Sequence, residues 1–190
     1  MKHICPSESS LRKVHFKNKD FGWNRFSTKL TFEDGSFYQK DRNDDYYMRG
    51  YLRHNLYLRD CCYHCDYKSL PRISDISLGD FWGIGNYDPS LDNEQGTSVV
   101  LINSEKGNTL FGWASNRLVR TERKIEEVLS GNSCLLNSAV CGEYRDYFFK
   151  KMNKVPFPTL IELIDKKSLK LSTKDKLFQI LSNIKHFIKN

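Results

Sequence analysis

An α+β fold is predicted for this chain from three observations. Apolar and polar residues alternate through two early runs, an Asp-Gly turn follows the second of them, and from Ser104 onward apolar residues recur at helical spacing. The expected architecture is a set of N-terminal antiparallel strands with a hairpin, a mixed sheet with a buried central strand, and a helical C-terminal third.

The elements follow in order. Residues 11 to 17 (LRKVHFK) and 26 to 32 (FSTKLTF) alternate as strands, and Glu33-Asp34-Gly35 turns the chain back into SFYQK, so a three-strand meander is expected. A helix is expected from Asp44 to Leu58, with Tyr47, Tyr51, His54 and Leu58 at helical spacing. ISDISLGDFWGI reads as a short strand running into a Gly79-Asp80 turn. The Gly96-Thr97-Ser98 turn then leads into VVLIN, a continuous apolar run of the kind that fills a buried strand. Ser104 to Gly107 opens a helix carrying Leu110, Phe111, Ala114 and Leu118. IEEVLSG, CLLNSAV and EYRDYFFKKM continue the helical pattern, which places Cys134 in an apolar helical context. A body of 1–150 and a basic amphipathic tail of 151–190 are the expected divisions. The tail carries Leu177, Ile180, Leu181, Ile184, Phe187 and Ile188 as one apolar stripe.

Composition narrows the function classes. A chain of 190 residues with 39% hydrophobic and 13% aromatic content is long and apolar enough to bury a core. The net charge of +7 resides in residues 150 to 190, where ten lysines meet three acids, while the rest is balanced. A nucleic-acid-binding body is therefore not expected, because such a face spreads Arg, Lys and aromatics across the fold. The tail either packs on its own domain or lies on an anionic membrane surface as a peripheral contact. With no long apolar run and no signal-peptide pattern in the first residues, a cytoplasmic protein is expected, and its six cysteines are expected to be reduced.

Two groups of residues could carry chemistry. Cys62-x-x-Cys65 is half of a tetrahedral thiolate site, with Cys5, Cys61, His64, Cys134 and Cys141 available for the other half; buried structural thiols and a redox disulfide are the alternatives. Asp75, Gly79, Asp80 and Trp82 surround a glycine at which backbone could approach a planar ring or a phosphate, the alternative being a tight turn capped by Asp80.

The run RGYLRHNLYLRDCCYHCDYKSLPRISDISLGDFWGI, preceded by FKNKDFGWNRFSTKLTFEDG and followed by Asp88-Pro89-x-x-Asp92 and GTSVVLINSEKGNTLF, resembles the C-terminal domain of the coenzyme F-420 hydrogenase/dehydrogenase beta-subunit family over about residues 12 to 150. The resemblance implies an iron-sulfur flavoprotein that passes electrons among a 4Fe-4S cluster, FAD and, in methanogen members, the deazaflavin coenzyme F-420. By position it implies Cys62 and Cys65 as cluster ligands and Asp75, Gly79, Asp80 and Trp82 as cofactor-proximal. Relatives carry a ferredoxin-like segment and a flavin-binding half ahead of this region. The resemblance therefore implies a redox partner protein or such a half to complete the site, and leaves open whether this chain alone is an enzyme. Many bacterial relatives lie in surface-polysaccharide gene neighbourhoods, so the alternative is a non-catalytic accessory or interaction domain, with a structural zinc at the cysteines.

Overall fold

The structure is a computed structural model that describes residues 9–169; Cys5 and the apolar stripe from Leu177 to Ile188 lie outside the described residues. The α+β expectation holds. The strands are β1 (Leu11–Asn18), β2 (Ser27–Phe32), β3 (Phe37–Asp41), β4 (Ile76–Asp80) and β5 (Ser98–Ile102), the first three forming one sheet in the order β1-β2-β3. The hairpin between β2 and β3 turns at Gly35, whose N–H donates to the Phe32 carbonyl, and the Phe32 N–H donates to the Ser36 carbonyl. β1 lies at the edge of its sheet and is exposed from Leu11 to Lys17.

The described residues form two compact units, one of residues 9–14, 30–57 and 142–169, the other of residues 15–29 and 58–141. The core of the first is Leu56, Phe148, Leu160, Ile161 and Ile164. Phe148 comes from the helix α4 (Arg145–Lys151), while Leu160, Ile161 and Ile164 come from a helical stretch over 157–169 and are fully buried. Each such aliphatic side chain contributes about 1.5–3 kcal/mol by leaving water. The helix expected over 44–58 is broken. Only α1 (Tyr46–Met48) is α-helical, and a wider π turn takes over from Arg49 to Arg53. The cause lies at Gly50, where a Cβ would stand 1.8 Å from the Tyr57 hydroxyl. The returning chain needs that space, and glycine favours a helix least of the residues other than proline. Tyr47 nevertheless stacks on Tyr51 at 6.4 Å and on Tyr57 at 5.2 Å between ring centroids.

In the second unit, β4 and β5 pair antiparallel as a two-stranded sheet, with Gly79 opposite Val99. The expectation of a buried central strand is thereby corrected, since β5 has β4 as its ladder partner among the described strands and buries Val99 alone. Val99 joins Phe81, Ile84 and Val128 in this unit's core, with Leu91, Leu101, Ile125 and Leu135 packed around it. The helices are α2 (Glu105–Ala114) and α3 (Ile125–Gly131). Ser104 caps α2: its Oγ accepts from the Gly107 N–H at 3.1 Å and donates to Asp75 Oδ1 at 2.6 Å. Ser104→Ala is expected to lower stability by about 1 kcal/mol, measured by urea denaturation, because both bonds are lost together. The third helical run is also corrected. Cys134 sits exposed in a 3-10 turn (Ser133–Leu135), and no helix follows it until α4.

Candidate functional site

Gly79 and Asp80 close strand β4 instead of forming a turn, which corrects the turn expectation. The chain bends just beyond them, at Gly83, whose φ of +79° places it in the left-handed region that glycine tolerates. Gly79 is exposed and lies opposite Val99, whose Cγ1 a Cβ there would meet at 3.3 Å, and strand alternation sends Asp80 to the other face with Leu78.

Asp80 forms an ion pair with Lys17, and the two side chains are 38% and 36% exposed, so water reaches both. The Lys17 ammonium also lies over aromatic faces, 4.3 Å from the Trp23 ring centroid, 4.8 Å from Trp82 and 5.5 Å from Phe26. The two indoles stack at 4.7 Å with an interplanar angle of 22°. Lys19 adds a second ammonium 4.9 Å from Trp23 and donates to the Gln95 carbonyl at 2.6 Å. A buried Trp23 needs a bare backbone beside it, and Gly96 provides one: a Cβ there would lie 2.4 Å from the indole. The Gly96-Thr97-Ser98 segment is thus a close approach to Trp23. Cations held over indole faces are worth about 0.5–2 kcal/mol each and leave a half-exposed patch that is both aromatic and cationic.

Asp75 stands apart from this patch, at the start of α2. Hydrogen bonding from Ser104 holds its carboxyl below the usual carboxylate range against the opposing effect of desolvation, with Lys106 at 3.4 Å adding to the lowering. Its backbone carbonyl accepts from the Asn103 N–H and leaves no room for a Cβ on Gly107, which would come within 2.2 Å. Of the four residues the sequence singles out here, Asp80 and Trp82 are brought together, Gly79 supports them from inside the strand, and Asp75 is tied to the α2 cap. Lys17, Lys19 and Trp23 escape the sequence patterns. They stand some 60 residues before Asp80 in sequence, and the only signal for them is the run FKNKDFGWN.

Cys62 and Cys65 are partly exposed, in and just after a 3-10 turn (Asp60–Cys62). The Cys62 carbonyl accepts from the Ala139 N–H at 3.0 Å, and the Cys65 N–H donates to Ser138 Oγ at 3.0 Å. As the side chains stand, no three His, Cys, Asp or Glu residues among those described are close enough to hold a metal ion together. The cysteine pair has the donor chemistry of a thiolate site, and among the described residues no group of donors that could hold a metal ion forms around it.

Three comparisons with known proteins bear on this patch. A family model for the C terminus of the coenzyme F-420 hydrogenase/dehydrogenase beta subunit matches residues 6–128. That span contains Lys17, Trp23, Cys62, Cys65, Asp80 and Trp82 and ends before Cys134. No curated protein and no solved structure matches.

Proposed function

The chain belongs to the coenzyme F-420 hydrogenase/dehydrogenase beta-subunit family through that family's C-terminal region, and from this premise we propose that it is the flavin-contacting, electron-transfer domain of an oxidoreductase. The observation that carries the proposal is the assembly of Lys17, Asp80, Trp23 and Trp82. A flavin offers a flat ring and an anionic phosphate chain. The donor set fits both, with an indole stack for the ring and two ammonium groups beside it for negative charge. FAD, when bound, would take up and hand on electrons.

The residues around that group have separate tasks. Asp80 anchors the Lys17 ammonium, so the positive charge is fixed in place before any ligand arrives. Trp82, half-buried on its Trp23 support, offers ring surface and excludes water from one face. Lys17 would stabilise negative charge on a ring held beside it and so would favour its reduction. Cys62 and Cys65 would hold two corners of a 4Fe-4S cluster, and a partner chain or segment would supply the other two. Electrons would then be exchanged with a redox partner protein, in a compartment such as the cytoplasm that keeps thiols reduced. Among the described residues no helix is long and apolar enough to cross a membrane.

Titrating the full chain with FAD while following tryptophan fluorescence tests the proposal. Quenching is expected, because a ring on Trp82 stacks against an indole. Lys17→Met is expected to weaken binding by roughly ten- to a hundredfold, the loss of one charge-assisted contact worth roughly 1.5–3 kcal/mol, and to lower the flavin potential. Tryptophan fluorescence that ignores FAD would overturn the proposal. A colourless protein carrying zinc would favour the accessory-domain alternative.

A further inference from the structure

We propose that the exposed face of α2 and the segment that follows it, over residues 110–123, form a docking surface for an extended acidic segment of a partner protein. The proposal goes beyond the flavin reading and does not depend on it.

Apolar area stands in water here. Leu110 and Trp113 are both exposed and lie three residues apart on α2, hence on one face of the helix. Trp113 is 74% exposed, and Leu118 and Val119 just beyond the helix are exposed as well, Val119 fully. Gly112 has nothing within 4 Å of its Cβ position, so the backbone beside Trp113 is open too. Clustered apolar side chains that a fold leaves uncovered mark an interaction site.

The charge around them is one-sided. Residues 110–124 carry Arg117, Arg120, Arg123 and Lys124 against Glu122 as the single acid. Arg123 is committed to Asp88 and Glu127, whereas Arg117 and Arg120 have no carboxylate partner among the described residues. The Arg120 guanidinium lies over the Phe111 ring, 5.6 Å from its centroid. That contact lays the segment back against α2 and joins the apolar and cationic parts into one surface. Planar guanidinium groups pair with carboxylates through two parallel hydrogen bonds, so the complementary partner is acidic.

The backbone selects a protein over a lipid surface. The chain is extended at Leu118 (φ −121°, ψ 138°) and again at Lys124 (φ −74°, ψ 143°). Among the described residues, the backbone groups of Val119 to Arg123 enter no hydrogen bond. A second extended chain can pair with such a row of N–H and C=O groups. A bilayer cannot, and those groups would enter it unpaired at a large cost. Trp and Arg are also the side chains that most often anchor protein interfaces.

The test is a titration of a dye-labelled peptide of alternating glutamate and valine with the full chain, read by fluorescence anisotropy at low and high salt. A lysine-for-glutamate peptide and phosphatidylserine vesicles form parallel arms. The glutamate peptide is expected to bind, less tightly at high salt, and the lysine peptide not to bind. Trp113→Ala and the double change Arg117→Glu/Arg120→Glu are each expected to cost at least about tenfold in affinity, the scale of losing an interface anchor. Hydrogen exchange on the wild type needs no variant: the peptide should slow the amides of Val119 to Arg123. The ten lysines of residues 150–190 could also attract acid. Binding that the double change leaves intact, with exchange at 119–123 unaltered, therefore places the peptide on those lysines and overturns the proposal. A glutamate peptide that does not bind overturns it as well, and vesicle binding that Trp113→Ala abolishes would then make this face a membrane contact instead.

Discussion

Asp165→Ala is expected to destabilise the protein by about 3–5 kcal/mol, because it leaves the partly buried Arg49 guanidinium and the buried His54 ring N–H without their carboxylate at once. Asp165 receives Arg49 Nη2 and His54 Nε2, the latter at 2.7 Å, and the side chains of Arg49, His54 and Asp165 are 18%, 9% and 14% exposed. An ionised carboxylate only accepts, so the His54 Nε2 carries the proton in that bond. The bonds join the stretch over 157–169 to the π turn and to the residue that ends it, directly above the core of Leu56, Leu160, Ile161 and Ile164. Burial pushes the Asp165 carboxyl upward, and the bonds from His54 and Arg49 reverse that and hold it below its ordinary value. A carboxyl lowered in the folded state contributes stability above its unfolded value of about 3.9 and loses it as pH falls through the folded value. The gap between wild type and Asp165→Ala should accordingly be full at pH 7 and close progressively below a pH of about 4 in urea denaturation. A gap under about 1 kcal/mol at pH 7, or one that does not vary with acid, would show that the trio contributes nothing beyond surface pairing.

Much of the fold was legible because period carries so far. The runs at 11–17, 26–32 and 36–40 became strands to within a few residues, the Asp34-Gly35 turn became a hairpin, and Ser104 became a cap with Gly107 at its third residue. Length and burial were less legible. VVLIN reads as buried, yet its strand finds one partner and covers Val99 only. LRKVHFK alternates as a half-buried strand should, yet it lies at a sheet edge with Val14 and Phe16 exposed. The 44–58 helix failed at Gly50, a position whose demand is set by Tyr57 folding back over it, which no window of sequence contains.

The candidate site was legible in its chemistry and not in its assembly. Asp80 and Trp82 were found through a local signature, whereas Lys17 and Trp23, which give them their charge and their stacking partner, come from a different strand and the loop after it. Cys134 was misplaced because CLLNSAV has helical periodicity. The Asn132 and Asn137 side-chain amides donate to the Val128 and Ser133 carbonyls there, as short polar side chains do, and the helix ends.

Two glycine-to-alanine changes of opposite sign are expected to show how tightly the second unit is closed around Trp82. Gly131 ends α3, and a Cβ there would stand 1.9 Å from the Trp82 carbonyl oxygen and 2.6 Å from its carbon. Both obstacles are backbone, so no side-chain rotation relieves them, and α3 must withdraw from the segment that carries Phe81 and Ile84. Withdrawal also loosens Val128, one turn back on the same helix and fully within that core. The expected loss is about 3 kcal/mol, the upper end of the 1–3 kcal/mol typical of overpacking, together with a weakened near-ultraviolet circular dichroism signal as Trp82 shifts off Trp23. Gly112, inside α2, has nothing within 4 Å of the same position. Gly112→Ala removes only the entropy cost of a helical glycine and is expected to stabilise by about 0.5–1 kcal/mol with the tryptophan signal unchanged. Equal effects of the two changes would mean that α3 does not press on Trp82, and the rigid support assigned to the indole stack would fall with it.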